Sequence, residues 1–158
     1  MRKLLWPIGT SALLALALLP APRAAGAQQA YGRGFGARIG ADLESDNLLL
    51  GGHVNLGFLT PAIRFQPNAA IGLGGDEESF GVNVEFQYFL SPGAAFEPYV
   101  GGGIGFLTGG NESGAVLDGV FGLEADVSST LDWFAEGRLL IGDDIHPRLE
   151  TGFTLLSF

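Results

Sequence analysis

The chain has 158 residues, of which 47% are hydrophobic and 16% are charged, and it contains no cysteine. This length suits one domain, and the excess of apolar over charged residues excludes a disordered or nucleic-acid-binding chain. The lack of cysteine excludes disulfide frameworks and thiolate zinc sites.

The first 27 residues have the layout of a cleaved secretory signal peptide. Arg2 and Lys3 give a positive start, an apolar run covers residues 11–19, and residues 25–27 are small. The run is shorter than the ~20 residues that a spanning helix needs, which argues against a retained anchor. The sequence therefore predicts export, with residues 1–27 removed and a mature chain over residues 28–158.

The mature chain is strongly acidic. Three of the eight basic residues leave with the signal, so five arginines remain against 17 acids and the net charge is −12. Such a chain repels polyphosphates, which excludes nucleic acid as a partner.

Turn-forming clusters divide the rest of the chain into eight short segments. The clusters are rich in Gly, Pro, Asn, Asp and Ser and recur at nearly even intervals. The segments between them cover residues 31–43, 47–59, 62–74, 78–90, 96–108, 115–127, 131–142 and 146–158.

Apolar and polar residues alternate along these segments, which is the period of a β-strand. In residues 78–90, Phe80, Val82 and Val84 share one face, and Asn83 and Glu85 share the other. A helix would mix the two sets. The same pattern recurs in the other segments, so each is predicted to be a strand.

Two positions carry more specific expectations. Pro67 lies inside the third segment and lacks a backbone N–H, which predicts a bulge or a lost ladder hydrogen bond. Strict alternation places Phe58, near the end of the second segment, on the apolar face.

The distribution of glycine indicates which face lies inside. An eight-stranded barrel has room in its interior only for side chains or one small ligand, so the face with small residues fits the lumen. The apolar faces hold glycine only at Gly52, Gly102, Gly119 and Gly137. The polar faces hold glycine at Gly32, Gly34, Gly36, Gly40, Gly51, Gly57, Gly72, Gly74, Gly81, Gly101, Gly103, Gly105, Gly122 and Gly152.

A closed barrel with an apolar outer wall is a membrane barrel, because its strands satisfy all backbone hydrogen bonds among themselves. Strands of ~10 residues, tilted by ~45°, cover the ~25 Å apolar band of such barrels. The sequence thus predicts an all-β fold, an eight-stranded antiparallel up-and-down transmembrane β-barrel.

The mature chain resembles the small outer-membrane β-barrel domains of Gram-negative bacteria, of the eight-stranded OmpA/OmpX type. The resemblance rests on the signal, the eight amphipathic segments, the glycine-rich stretch 98–105 and the terminal Phe158. It implies a bacterial outer-membrane location, contact with outer-membrane lipid and lipopolysaccharide, and insertion by the barrel-assembly machinery. Strict alternation places Phe158 on the inward face, unlike the outward terminal aromatic of that family.

The inward faces carry many charged side chains. Buried charges persist only when they are paired, so the sequence predicts a network of ion pairs that plugs the lumen. The alternative is a narrow ion path in which the pairs exchange partners. His53 is expected to be a hydrogen-bonded lumen residue and His146 to lie at an outer tip. The predicted network consists of Arg38, Arg64, Glu85, Glu97, Asp118, Glu124, Glu136, Arg138, Arg148 and Glu150.

The turns differ in charge according to the end of the barrel on which they lie. Turns two, four and six carry no charge, and with both termini in the periplasm the acidic odd-numbered turns face outward. Divalent ions would bridge such carboxylates to lipopolysaccharide phosphates, since hard cations favour oxygen ligands. The alternative is that the acids only solvate the tips. The acids of the odd-numbered turns are Glu44, Asp46, Asp76, Glu77, Glu78, Glu112, Asp143 and Asp144.

No motif predicts an enzyme or a cofactor. Outer-membrane barrels that deacylate lipid A use a histidine with a nearby serine, whereas Asn55 follows His53 and Arg148 follows His146 at the second position. We therefore expect a monomeric barrel with a structural or envelope-integrity role. The rival from another class is a soluble periplasmic lipocalin-like binding barrel with reversed faces, in which Leu56, Phe80, Val84 and Phe86 line a ligand cavity.

Overall fold

The computed structural model describes residues 33–75, 77–109 and 112–157. The predicted signal peptide and the terminal Phe158 lie outside the described residues. In the part of the chain that is described, no helix has the length and apolar character needed to cross a membrane.

The described chain is almost entirely β-strand. Nine strands follow one another: β1 (Arg33–Asp42), β2 (Asn47–Asn55), β3 (Phe58–Thr60), β4 (Ile63–Leu73), β5 (Ser79–Phe89), β6 (Glu97–Gly109), β7 (Glu112–Ser128), β8 (Leu131–Ile141) and β9 (Ile145–Ser157).

All pairings are antiparallel and the sheet closes on itself. Each of β4 to β8 pairs with its successor, β9 pairs with β1, β1 pairs with β2, and β2 pairs with β4. The short β3 pairs only with β4 and continues the course of β2. The barrel wall therefore has eight strands, as the sequence predicts, and the closed ring leaves no sheet edge along its length.

Side chains alternate between the outer wall and the lumen. Phe80, Val82 and Val84 on β5 keep 39–45% of their surface exposed, whereas Glu85 keeps 0% and Arg138 on β8 keeps 2%. The prediction that apolar side chains cover the outside and charged ones fill the lumen is confirmed.

The lipocalin-like alternative required the opposite facing. Leu56, Phe80, Val84 and Phe86 would line its ligand cavity, but each is 40–50% exposed on the outer wall. The reversed orientation is therefore wrong, because the residues that would hold an apolar ligand point away from the lumen.

The second predicted segment is interrupted by a bulge. The Leu56 N–H donates to the Phe65 carbonyl at 3.1 Å, and the Phe65 N–H donates to the Gly57 carbonyl at 3.2 Å. Two residues thus oppose one, which shifts the register. Gly57 has a φ of 100°, a backbone conformation that favours glycine.

The bulge turns the residue after it toward the barrel interior. Phe58 is partly buried against the cluster of Phe89, Tyr99 and Val120, with its ring centroid 5.4 Å from that of Phe89. The prediction that Phe58 belongs to the outer face is wrong, because one extra residue reverses the alternation.

Pro67 lies where the ladder between β2 and β4 stops. The last regular pair on that side is His53 with Asn68, while on the other side Pro67 pairs with Val84 and the register continues without a shift. The expected loss of ladder bonds is found toward β2, and the bulge lies in the partner strand rather than at Pro67 itself.

The hairpin between β6 and β7 is tighter than predicted. Its clustered Gly, Asn and Ser residues predicted a turn over residues 109–114, yet Ser113 pairs with Thr108 and Gly114 with Leu107. Small residues are compatible with a twisted two-stranded ladder, so β7 begins at Glu112 rather than at Ala115.

Candidate functional site

The centre of the lumen holds two arginines from strands on one side of the barrel. Arg38 comes from β1, where it faces inward because it alternates with the exposed Phe35, Ala37 and Ile39. Arg138 comes from β8, two strands away across β9. Both side chains are almost fully buried.

Four carboxylates surround these two arginines, and we call the six residues the central cluster. Its members are Arg38, Arg138, Glu85, Asp118, Glu136 and Glu150.

Arg38 contacts two of the four acids. Its Nη1 lies 2.8 Å from Glu136 Oε1 and 3.0 Å from Glu150 Oε2, and its Nη2 donates to Gln66 Oε1 at 3.2 Å. The guanidinium carbon also lies 5.3 Å from the centre of the Phe134 ring. An arginine fork held by several acceptors and stacked on a ring is fixed in orientation.

Arg138 contacts all four acids. Its Nη1 bonds Glu85 Oε2 at 2.6 Å and also bonds Asp118, while its Nη2 bonds Glu136 Oε1 at 2.8 Å. Its Nε lies 3.7 Å from Glu150 Oε1. Glu136 and Glu150 are therefore shared between the two arginines, which joins the six side chains into one network.

Amide side chains extend this network. Gln87 donates to Glu85 at 2.6 Å and to Gln66 at 3.1 Å, and Asn68 donates to Glu85 at 3.1 Å. Sequence reasoning missed these amides as network members, although their inward register placed them on the polar face. Carboxylates buried away from water need such donors.

Arg64 lies toward the end of the barrel that carries the even-numbered turns, and Gln87 links it to the central cluster. Its Nη1 lies 2.8 Å from Glu124, its Nε and Nη2 bond Gln87 Oε1 at 2.9 and 2.7 Å, and its guanidinium stacks 4.7 Å from the Phe89 ring centre. Glu97, also in the predicted network, accepts a hydrogen bond from the Gly93 N–H.

Arg148 lies near the opposite end, apart from the central cluster. Its Nε donates to Asp42 Oδ2 at 2.8 Å, and Asp42 Oδ1 accepts the backbone N–H groups of Glu44 and Ser45. Asp42 was not among the predicted network residues, although it shares the inward face of β1. It connects a lumen arginine to the first acidic turn.

A cavity of about 330 Å³ opens at this acidic end. His146 lines it and is largely buried, with Nδ1 3.4 Å from Asp42 Oδ2. His146 lies at the acidic end of the barrel, as the second residue of β9, and its side chain faces inward with those of Arg148 and Glu150. The acidic turns contribute Glu44, Glu77 and Asp144 to the lining.

His53 is hydrogen-bonded inside the lumen. Its Nε2 lies 2.8 Å from Thr154 Oγ1, and its ring packs edge-on against Phe134 at 5.2 Å. Thr154 has no exposed surface. This imidazole–hydroxyl pair therefore has no access to a substrate.

Apolar side chains lie on both sides of the central cluster. Leu107, Val116 and Leu140 form a buried group toward the acidic end, and Phe89, Tyr99 and Val120 form another toward the end with uncharged turns. We call these two groups the apolar layers. Among the described residues, no group of three or more His, Asp or Glu side chains is arranged to hold a metal ion.

Tyr99 belongs to the apolar layer at the end with uncharged turns. It links this layer to the central cluster, because its hydroxyl donates to Glu136 Oε2 at 2.7 Å. Its ring lies against Gly122, and a Cβ there would overlap the ring. We expect Gly122→Ala to lower the free energy of unfolding by about 1–3 kcal/mol, because the ring must shift and weaken its bond to Glu136.

The matched control for this substitution is on the same strand. Gly119 faces outward and a Cβ there would meet no heavy atom within 4 Å, so Gly119→Ala should change stability by less than about 0.5 kcal/mol. Urea unfolding of the refolded barrels, followed by tryptophan fluorescence, measures both. Equal urea midpoints for the two variants would show that the contact between Gly122 and Tyr99 contributes nothing to stability.

The architecture matches solved membrane barrels. The N-terminal β-barrel domain of Pseudomonas aeruginosa OprF superposes with a TM-score of 0.69 at 14% identity, covering 80% of this chain and 98% of that one. The chain has the fold of the small outer-membrane β-barrels. A de novo designed transmembrane β-barrel also matches, with a TM-score of 0.60 at 15% identity over 82% of this chain and 98% of that one.

This outer-membrane barrel fold accommodates different activities. The outer-membrane enzyme PagL superposes with a TM-score of 0.53 at 13% identity, covering 79% of this chain and 99% of that chain. No family model and no curated protein sequence matches the chain. Likeness at these identities establishes the architecture, and any activity has to be argued from the site.

Proposed function

We propose that the protein is a monomeric bacterial outer-membrane barrel with a closed lumen and a structural, envelope-integrity role without enzymatic activity. The observation that carries the proposal is the distribution of side chains across the wall: an apolar outer surface around a core of paired charges. In this arrangement the lipid solvates the outer wall, and the ion pairs replace water inside.

The closed lumen follows from the burial of the charged side chains. Those of Arg38, Glu85 and Arg138 are no more than 2% exposed, and apolar layers lie above and below them. A permanently open path would leave these groups accessible to water. Ion pairs that cross the lumen also connect β1, β5, β7, β8 and β9, which stiffens the barrel.

Partners follow from the proposed location. The outer wall contacts outer-membrane lipid, and the barrel-assembly machinery inserts the chain after its signal peptide is removed. With the acidic turns facing outward, Glu44, Glu77 and Asp144 meet the lipopolysaccharide layer, where divalent cations bridge carboxylates to phosphates. The acidic chain has no role with nucleic acid.

Fractionation of the producing bacterium tests the location. We expect the mature protein in the outer-membrane fraction, extracted by detergent but not by high salt or alkali. In unheated gel samples it should migrate differently from boiled samples, because the closed barrel resists unfolding by the detergent. Recovery in the soluble periplasmic fraction would contradict the proposal.

A narrow channel is the second candidate, and one feature of the central cluster favours it. Glu136 and Glu150 each lie within 4 Å of both Arg38 and Arg138, so either arginine has an alternative partner at short range. Exchange of partners would open a path without unfolding the wall.

Conductance in planar bilayers separates the two candidates. The closed barrel is expected to give a silent bilayer for the wild type. Discrete conductance steps that change in Arg138→Ala would favour the channel instead. The exposed Arg33→Ala is the control, because its side chain lies outside the central cluster.

A further inference from the structure

We propose that the centre of the lumen is a proton-binding site, in which Asp118 carries a proton and shares it with Glu85. Both carboxyl groups bond the same atom, Arg138 Nη1, so they lie side by side. Two ionised carboxylates on one guanidinium nitrogen repel each other and neither can donate a hydrogen bond, whereas a proton on one oxygen lets that group donate to the other.

The charge of the central cluster supports the same conclusion. Two guanidinium groups face four carboxyl groups there, which leaves two negative charges in excess if all four are ionised. The side chains of the cluster are at most 3% exposed. Uncompensated charge in such a place is strongly unfavourable, and a carboxyl group relieves it by binding a proton.

Arg138 hydrogen-bonds three carboxyl groups, and the number of donors around each of the three identifies the one that is protonated. Glu85 accepts from Arg138, Asn68 and Gln87. Glu136 accepts from Arg38, Arg138 and the Tyr99 hydroxyl. Three donors each are enough to keep these two carboxylates ionised.

Asp118 is much more poorly solvated. Arg138 bonds its Oδ2, and its Oδ1 is buried with no hydrogen-bond partner. The residue as a whole is 5% exposed. A neutral carboxyl group satisfies this site, because its O–H donates to the neighbouring Glu85 and it needs fewer donors than a carboxylate.

Charged groups from all the surrounding strands act on this proton. Arg138 and Glu136 face it from β8, Glu85 from β5, Arg38 from β1, and Glu150 from β9. The neighbouring β6 contributes only glycine opposite Asp118, which pairs with Gly103, and the inward polar residues of β2 and β4 near the cluster are neutral. Loss of the proton would place a further negative charge beside Glu85 and loosen the contacts of Arg138.

Infrared spectroscopy of the mature barrel in detergent at neutral pH tests the proposal. The wild type should show the carbonyl stretch of a neutral carboxyl group, well separated from the carboxylate bands and shifted in D₂O. Asp118→Asn should remove the Asp118 component of this band, which the wild-type minus variant difference spectrum isolates from any other buried carboxyl group. Glu85→Gln should abolish this component too, because it removes one acid and leaves Asp118 ionised beside Arg138. The control Asp126→Asn, on the same strand but exposed, should leave the band unchanged.

Urea unfolding provides a second readout. Asp118→Asn mimics the protonated group, so the folding equilibrium constant should stay within about tenfold of the wild type, whereas Glu136→Gln should lower it by about a hundredfold or more. Absence of a neutral carboxyl band in the wild type would overturn the proposal. So would a band that is identical in the wild type and Asp118→Asn, or a loss of stability in Asp118→Asn as large as that in Glu136→Gln.

Discussion

Replacement of Arg138 with alanine is expected to cost about 3–5 kcal/mol in the free energy of unfolding. Its guanidinium contacts Glu85, Asp118, Glu136 and Glu150. Without it, four acids share the remaining Arg38 in a region closed to water, and the buried carboxylates repel each other. The loss is large because it leaves unpaired charge behind, not because a single ion pair is strong.

Urea titration of wild-type and Arg138→Ala barrels in lipid vesicles measures this loss. Arg33→Ala is the matched control, because Arg33 is exposed at the start of β1 and its removal should change stability by less than about 0.5 kcal/mol. If the two variants unfold at the same urea concentration, the central cluster contributes nothing to stability. That result would also contradict its proposed role in holding the lumen closed.

The wall of the barrel could be predicted from the sequence because its periodicity is local. The alternation along the strand shows which face Phe80, Asn83 and Glu85 lie on, and closure of the sheet then follows from the number of strands. Which residue meets which across the lumen is not local information. Arg38 and Glu136 are 98 positions apart in the chain, and their contact depends on the register of every intervening hairpin.

The errors have a common origin in that register. Gly57 inserts one residue into a ladder, and the facing of Phe58 is reversed as a result. Asp42 and the amide side chains were on the predicted inward faces. Nothing in the sequence showed that they would lie at the same depth in the lumen as the charged groups they bind. A count of hydrogen-bond donors needed by the buried carboxylates would have pointed to Asn68 and Gln87.

Substitution of Val84 with arginine tests whether the outer wall of the barrel contacts lipid. Val84 lies at the middle of β5 and is 40% exposed on the outer wall. In a bilayer, an arginine on the lipid face at mid-depth costs roughly 2–4 kcal/mol. We expect Val84→Arg to reduce the stability of the vesicle-inserted barrel by this amount and to slow its insertion.

The position of the substitution along the strand provides the control. Leu90 follows the last residue of β5 and is 55% exposed on the same outer face, so Leu90→Arg lies near the membrane interface and should cost only about 0–1 kcal/mol. A barrel surrounded by water would show no such difference, since an arginine at either exposed position meets the same solvent. Equal unfolding free energies for the two variants would therefore contradict the membrane assignment. A loss of stability that depends on depth cannot arise from packing within the wall, because both side chains project outward from it.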